Sequence, residues 1–216
     1  MANILLAISN RDESRYILSN LGFKVDPQNP KLYHCRYKEH RLSLVETGIG
    51  KTNIGIEITK VIAKHSYEYV LNLGAAGATM GFTQGDHVII NMTKYHDFDL
   101  SMFGYRHGQV PGYPEYFVTP ERILKSFVER IPNLKISKLL TGDQFVTKRM
   151  IEDDFLVDME GAAIFQTLYK VNVRIICFKI VSDIICGNNA NIYSGFEEKY
   201  IGKYLYNLLL LILEII

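Results

Sequence analysis

The feature that most constrains this chain is an alternation of two hydrophobic periods. Short runs of β-branched and other apolar residues, suited to buried strands, are separated by stretches whose apolar residues recur every three or four positions. Asn3–Ser9 reads as a strand, and Asp12–Leu21 as a helix with Ser9 or Asp12 near its N-terminus. Arg41–Glu46 reads as a strand, and Lys51–His65 as a helix with Ile54, Ile58, Val61 and Ile62 on one face. Tyr69–Leu73, His87–Met92 and Ile136–Leu140 read as further strands, Pro120–Ile131 and Glu160–Val171 as helices. Arg174–Val181 is the most strand-like run, and Phe196–Leu213 closes the series as a helix. Strands alternating with helices of this length predict an α/β fold whose mixed or parallel sheet is covered on both faces. Residues 1–216 are expected to form a single domain, since no linker, repeat or low-complexity tract breaks the order.

Charge narrows the ligand. Lys plus Arg number 24 against 23 Asp plus Glu, a net charge of +1 with no block of like sign. A dedicated nucleic-acid binder needs a basic surplus, so a small molecule is the expected partner. With 48% apolar and 22% charged residues, disorder and fibrous classes are excluded. Cys35, Cys177 and Cys186 are scattered without a C-x-x-C pair, which fits neither a disulfide framework nor a zinc site and points to a reducing compartment. Met-Ala-Asn runs straight into an apolar strand, so no secretory signal is expected. Tyr200–Ile216 is apolar but carries Lys203, Asn207 and Glu214, and it is shorter than the roughly 20 residues of a membrane span. It is expected to be a buried or oligomer-facing helix, not a membrane anchor.

In open α/β sheets ligands bind beyond the carboxyl ends of the strands. Polar residues and glycines gather at those ends: Glu13, Thr47–Lys51, Gly74–Ala78, His96–Asp99, Thr141–Val146, Asp158–Glu160 and Ser182-Asp183. Thr47-Gly-Ile-Gly-Lys-Thr52 invites comparison with a phosphate-binding P-loop, but Val45 stands where that pattern needs glycine. A tight strand-to-helix turn remains, whose glycines also let backbone approach a ligand. Gly74-Ala-Ala-Gly-Ala78 suits close packing of chain on chain or of chain on a flat ligand. His96, Asp97 and Asp99 have tempting metal-like spacing, yet strand alternation sets His96 opposite the two aspartates with no fourth ligand nearby. They are expected to be solvated loop residues.

Asp158-Met-Glu160 is either a charge pair at a helix N-terminus or a carboxylate site for paired sugar hydroxyls. Asp183, framed by apolar sequence, is costly unless hydrogen-bonded or protonated. It is either a helix N-cap or an acid able to deliver a proton. Thr93–Thr119, rich in glycine and aromatics, fits no regular element; a long irregular segment in a domain is expected to be functional.

Together these stretches resemble the nucleoside phosphorylase superfamily, and within it the 5′-methylthioadenosine/S-adenosylhomocysteine nucleosidases. The resemblance runs in order through Gly48-Ile-Gly-Lys51, Asn72-Leu-Gly-Ala-Ala-Gly77, Gln84-Gly-Asp-His-Val88, Tyr95-His-Asp97 and Phe103-Gly-Tyr105. It continues through Gly108-Gln-Val-Pro-Gly112, Thr141-Gly-Asp-Gln-Phe145, Asp158-Met-Glu-Gly-Ala162 and Val181-Ser-Asp183. It implies a three-layer α/β/α fold with a central mixed, twisted sheet, and a cytoplasmic homodimer that hydrolyses the N-glycosidic bond of purine nucleosides. No metal or organic cofactor is implied.

Residue by residue, the resemblance implies that Asp183 is the general acid protonating the purine at N7, with Ser182 behind it. It implies that Glu160 holds the ribose hydroxyls above Met159, with Asp158 beside them. Phe145 would stack on adenine and the backbone of Val146 would read the base edge, with Ile49, Ala75 and Gly77 on the same walls. Leu100, Phe103, Tyr105 and Pro111 would line the 5′-alkylthio pocket across the dimer, and Tyr193 would line the same pocket. Two departures touch the water-activating side. The family's Met-x-x-Glu-like stretch is Ser9-Asn-Arg-Asp-Glu13, which makes Glu13 the water-activating base with Asp12 the alternative, and the family's turn serine is Ala75. Two other readings stand beside it: a phosphate-dependent purine nucleoside phosphorylase, supported by Arg11 and Arg15 but lacking an arginine at Asn72, and a non-catalytic purine nucleoside binder.

Overall fold

A computed structural model describes residues 1–148, 154–185 and 189–216. In chain order the elements are β1 (Asn3–Ile8), α1 (Arg11–Asn20), β2 (Lys24–Asp26), β3 (Asn29–Tyr37), β4 (His40–Glu46), α2 (Lys51–Ile62), β5 (Tyr69–Ala78) and β6 (His87–Tyr95). They continue with β7 (Phe117–Val118), α3 (Glu121–Val128), β8 (Lys135–Thr141), β9 (Leu156–Asp158), α4 (Gly161–Leu168), β10 (Arg174–Ile184), α5 (Asn189–Phe196) and α6 (Gly202–Leu213).

The sheet is mixed. β1 lies between β4 and β5, parallel to both, and β3 and then β2 extend that edge antiparallel. On the other side β5 pairs with β10, β10 with β6, β6 with β8, β8 with β9, and β9 returns to β5. These five strands close a ring, so the ends of β5, β8, β9 and β10 face one another around a rim.

Strand alternation divides the core into two layers. Ile4, Leu6 and Ile8 pack with Phe178 and Ile180 under α1, α3 and α6, which contribute Ile17, Phe127 and Leu209. Leu5, Ala7, Val45 and Val181 face the opposite way, under Ile54 and Ile58 of α2 and Ile164 and Phe165 of α4. This is the helix–sheet–helix layering that the two periods predict. The apolar C-terminus sits in the first layer, with Leu205, Leu208 and Ile212 fully buried. Among the described residues no helix is long and apolar enough to cross a membrane.

Three differences from the sequence reading matter for the site. β5 does not stop at Leu73 but continues through Gly74–Ala78, because β9 and β10 pair with that small-residue stretch. β10 likewise runs through Ser182 and Asp183, so Asp183 is a strand residue and not a helix N-cap. The closing helix begins at Gly202, preceded by a π-helical turn over Glu197–Ile201 and by α5. Cys35 and Cys177 are free thiols, and Cys186 lies outside the described residues.

Candidate active site

At the rim a pocket of about 160 Å³ opens, walled by the ends of β1, β5, β9 and β10 and by the segment after β8. Glu13, Asp158, Glu160 and Asp183 reach it from three separate stretches of sequence. Each is nearly excluded from solvent. A buried carboxylate must find donors, and the partners of these four differ.

Glu13 is aimed by the first turn of α1, where Asn10 Oδ1 accepts from the Glu13 N–H at 3.0 Å and caps the helix. Its Oε1 accepts from the Ala75 N–H at 2.6 Å, and its Oε2 from Ser9 Oγ at 2.6 Å and from the Ser9 N–H at 3.3 Å. Short contacts of this kind suit an ionised carboxylate. Gly74 makes the approach possible, because a Cβ there would stand 2.9 Å from Glu13 Oε1. Asp12, one residue earlier, points away and pairs with Arg15, its side chain 47% exposed.

Asp183 sits just past a register shift in β10, where Val181 pairs with Ala76 and Asp183 with Gly77. The extra residue, Ser182, is wholly buried, and its Oγ donates to Asp183 Oδ1 at 2.7 Å. Gln84 Nε2 donates to the Ser182 carbonyl at 2.7 Å, pinning the irregularity. Such bulges re-aim a side chain, and here the carboxyl is turned into the pocket.

Asp158 is occupied differently. Thr141 Oγ1 donates to its Oδ1 at 2.6 Å, the Gly161 N–H donates to its Oδ2 at 2.8 Å, and Lys179 Nζ pairs with Oδ2 at 2.9 Å. It anchors the start of α4 while touching the pocket wall. Glu160 Oε1 accepts from the Gly50 N–H at 2.8 Å. Burial, and next the neighbouring Asp158, push the Glu160 carboxyl up to about 8, Lys179 and the Gly50 N–H opposing them.

Lys179 is the residue that pattern reading passed over. It is fully buried and, although burial works against its charge, Asp158 and Glu160 hold its pKa above the ordinary lysine range. A lysine in the centre of the most strand-like run was the available signal, since a charge there requires a buried partner. Removing one member of such a pair typically costs about 3–5 kcal/mol.

The remaining walls are apolar. Phe145 and Tyr193 meet edge-on with ring centroids 5.5 Å apart, and Ile49, Val146 and Met159 line the cavity with Ala75 and Gly77. Leu100, Phe103, Tyr105 and Pro111 do not line it; they lie on the segment between β6 and β7, where Phe103 is 69% exposed. Among the described lining residues there is no Lys or Arg: Arg11 pairs with Glu46 outside the pocket, and Asn72 is buried against Ala7 and Cys177. Asp97, expected to be solvated, is instead ion-paired with Lys51, and His96 Nε2 is buried without a hydrogen-bond partner. The loop folds back on the strand ends, which alternation along a strand cannot foresee. No group of three or more His, Cys, Asp or Glu among the described residues is placed to hold a metal ion.

A sequence profile of the Phosphorylase superfamily matches residues 7–202. A 5′-methylthioadenosine/S-adenosylhomocysteine nucleosidase of Buchnera aphidicola is 34% identical over 181 residues, covering 78% of this chain and 77% of the relative. The S-adenosylhomocysteine nucleosidase of Streptococcus pyogenes, solved with 5-methylthiotubericidin, superposes with a TM-score of 0.90 at 26% identity, covering 99% of this chain and 96% of the other. The MTA/SAH nucleosidase of Streptococcus pneumoniae, solved with 8-aminoadenine, gives 0.90 at 26% identity, covering 99% and 100%. With this layered mixed sheet and a rim pocket walled by four carboxylates, the chain belongs to the phosphorylase superfamily and, within it, to the 5′-methylthioadenosine/S-adenosylhomocysteine nucleosidases.

Proposed function

We propose that this protein hydrolyses the N-glycosidic bond of 5′-methylthioadenosine and S-adenosylhomocysteine, releasing adenine and the 5′-thio-substituted ribose. The observation that carries this reading is the convergence of Glu13, Glu160 and Asp183 on one pocket whose described lining includes no cation. A phosphorolytic enzyme must bind a phosphate dianion beside the sugar, and a pocket whose described lining carries no Lys or Arg gives that dianion no counter-charge. Water is the nucleophile such walls accept.

Breaking the bond leaves adenine as a poor leaving group and the sugar as an oxocarbenium-like cation. Asp183, buried and steadied by Ser182, delivers a proton to N7 of the departing base. Glu13, holding its Ser9 and Ala75 donors, takes a proton from water attacking the opposite face of the sugar. Each proton transfer of this kind typically contributes about 10²–10⁴-fold in rate. Glu160 holds the ribose hydroxyls over Met159, with Asp158 anchored behind it by Lys179. Phe145 stacks on the base, and the backbone at Val146 reads its edge.

Residues 1–216 work as one domain, in the cytoplasm and as a homodimer. The support for a dimer is that Leu100, Phe103, Tyr105 and Pro111 miss their own pocket while Met102 and Phe103 stand 86% and 69% exposed. A second copy would take these apolar groups into its open 5′ end.

An adenine-release assay on a panel of 5′-substituted adenosines, with and without phosphate, tests the reading. Release from methylthioadenosine and adenosylhomocysteine at a rate indifferent to phosphate is expected. Release that requires phosphate would establish phosphorolysis instead, and tight binding without release would leave only a nucleoside binder.

A further inference from the structure

Two side chains left without a role by this chemistry, Lys51 of the P-loop-like turn and Asp97 of the metal-like His96–Asp99 cluster, are each other's partners. Lys51 Nζ lies 2.7 and 2.6 Å from the two oxygens of Asp97, 3.8 Å from Asp143 Oδ2, and 5.2 Å from the centre of the Tyr95 ring. The Asp143 N–H donates to Asp97 Oδ2 at 2.8 Å, and Asp143 Oδ1 in turn accepts from the Lys51 N–H at 2.8 Å. Asp143 thereby caps α2, whose own N-cap residue, Gly50, has no side chain to offer. Gly50 adopts φ +99°, and a Cβ there would stand 3.0 Å from Asp143 Oδ1, so the turn and the aspartate are fitted closely together.

Both ends of this latch adjoin residues of the pocket. The Gly50 N–H, one residue from Lys51, donates to Glu160 at 2.8 Å, and Gln144, Phe145 and Val146 follow Asp143 directly along the wall. We infer that Lys51 is a positioning residue: by drawing Asp97 and Asp143 together it fixes the Gly50 N–H on Glu160 and the 144–146 wall against the base. It therefore sets the affinity for the nucleoside and not the rate of bond cleavage. The Lys51 ammonium touches none of the reacting groups named above. Its side chain is only 24% exposed and that of Asp97 23%, so water screens the pair less than it would an open surface bridge.

This inference rests on the nucleosidase reading, and the experiment separates the two. Wild type, Lys51→Met, Lys51→Arg, Asp97→Asn and the Lys51→Met/Asp97→Asn double variant are compared for adenine release from methylthioadenosine and, by calorimetry, for adenine binding. Wild type that releases no adenine would sink the nucleosidase reading, and the latch is then judged on adenine binding alone. With the latch in place, Lys51→Met raises KM, or the adenine Kd, about tenfold while kcat stays within about threefold. Lys51→Arg restores most of the loss, and the double variant is no worse than either single one, as expected for residues acting through one contact. An unchanged KM and Kd in Lys51→Met would overturn the inference. So would a fall in kcat and Tm that arginine fails to rescue, or a rise in KM that accompanies a change in oligomeric state.

Discussion

The rim of the strand ring and the segment between β6 and β7 are built on opposite plans. At the rim each of the four carboxylates is buried and held by donors from regular elements or the residues flanking them: Glu13 by Ser9 and Ala75, Asp158 by Thr141, Gly161 and Lys179, Glu160 by Gly50, and Asp183 by Ser182. In the segment from Leu100 to Pro111, Met102, Phe103, Tyr105 and Pro111 are exposed, with a single 3₁₀ turn at Ser101–Phe103 and no residue lining the cavity. The difference teaches that the chain holds its four pocket carboxylates by itself but leaves several apolar groups of the 100–111 segment without cover of their own. Preorganised charge needs a rigid, dry scaffold, whereas an apolar cover can be supplied by association.

The sharpest way to break this comparison is at the acid. Asp183→Asn keeps shape and accepts the same Ser182 hydrogen bond but cannot supply the proton. Adenine release should fall about 10³-fold with Tm little changed; near-normal turnover would remove Asp183 from the chemistry. Next in size is the pair Glu13→Gln and Asp12→Asn. The first should cost about 10²-fold in kcat and the second less than about twofold, since only Glu13 faces the pocket. A reversal of that order in steady-state kinetics would place the water on the other carboxylate.

The segment between β6 and β7 predicts a smaller and different effect. Phe103→Ala should raise KM for methylthioadenosine about tenfold while leaving adenine affinity unchanged, because in the proposed dimer the lost contact lies at the 5′ end and across subunits. Equal losses for both ligands would put Phe103 in its own subunit's base site. The smallest effect concerns Glu160, whose carboxyl is pushed up to about 8 from its ordinary 4.5, by burial first and Asp158 second. Between those values the folded chain retains a proton that the unfolded chain has released. Stability therefore falls as pH rises from about 4.5 through about 8. Glu160→Gln should flatten that decline in a Tm-against-pH series, and parallel curves would show that the group ionises alike in both states.

Much of this arrangement was legible beforehand, and the places where it was not share a cause. Asp183, Glu160, Glu13 and Phe145 could be nominated from position at strand ends and from motif resemblance. β3 is not legible in the sequence because, near the sheet edge, it buries little beyond Leu32 and carries Pro30, Lys31 and Arg36 outward, which blurs its alternation. The length of β5 was missed because Gly74–Ala78 lacks strand-forming side chains; pairing with β9 and β10 decides its conformation. The Lys51–Asp97–Asp143 latch joins three stretches up to 92 residues apart, and no local pattern encodes such a contact.

What the sequence by itself determined is the order and layering of the fold, because hydrophobic period is a local property and each strand or helix must bury the face its own residues define. Only the tertiary structure decided which carboxylate is anchored by Lys179, which of Asp12 and Glu13 enters the pocket, and that Asp183 turns inward. Those outcomes depend on closure of the five-strand ring and on a one-residue slip in β10, and they arise only when distant segments compete for the same buried space.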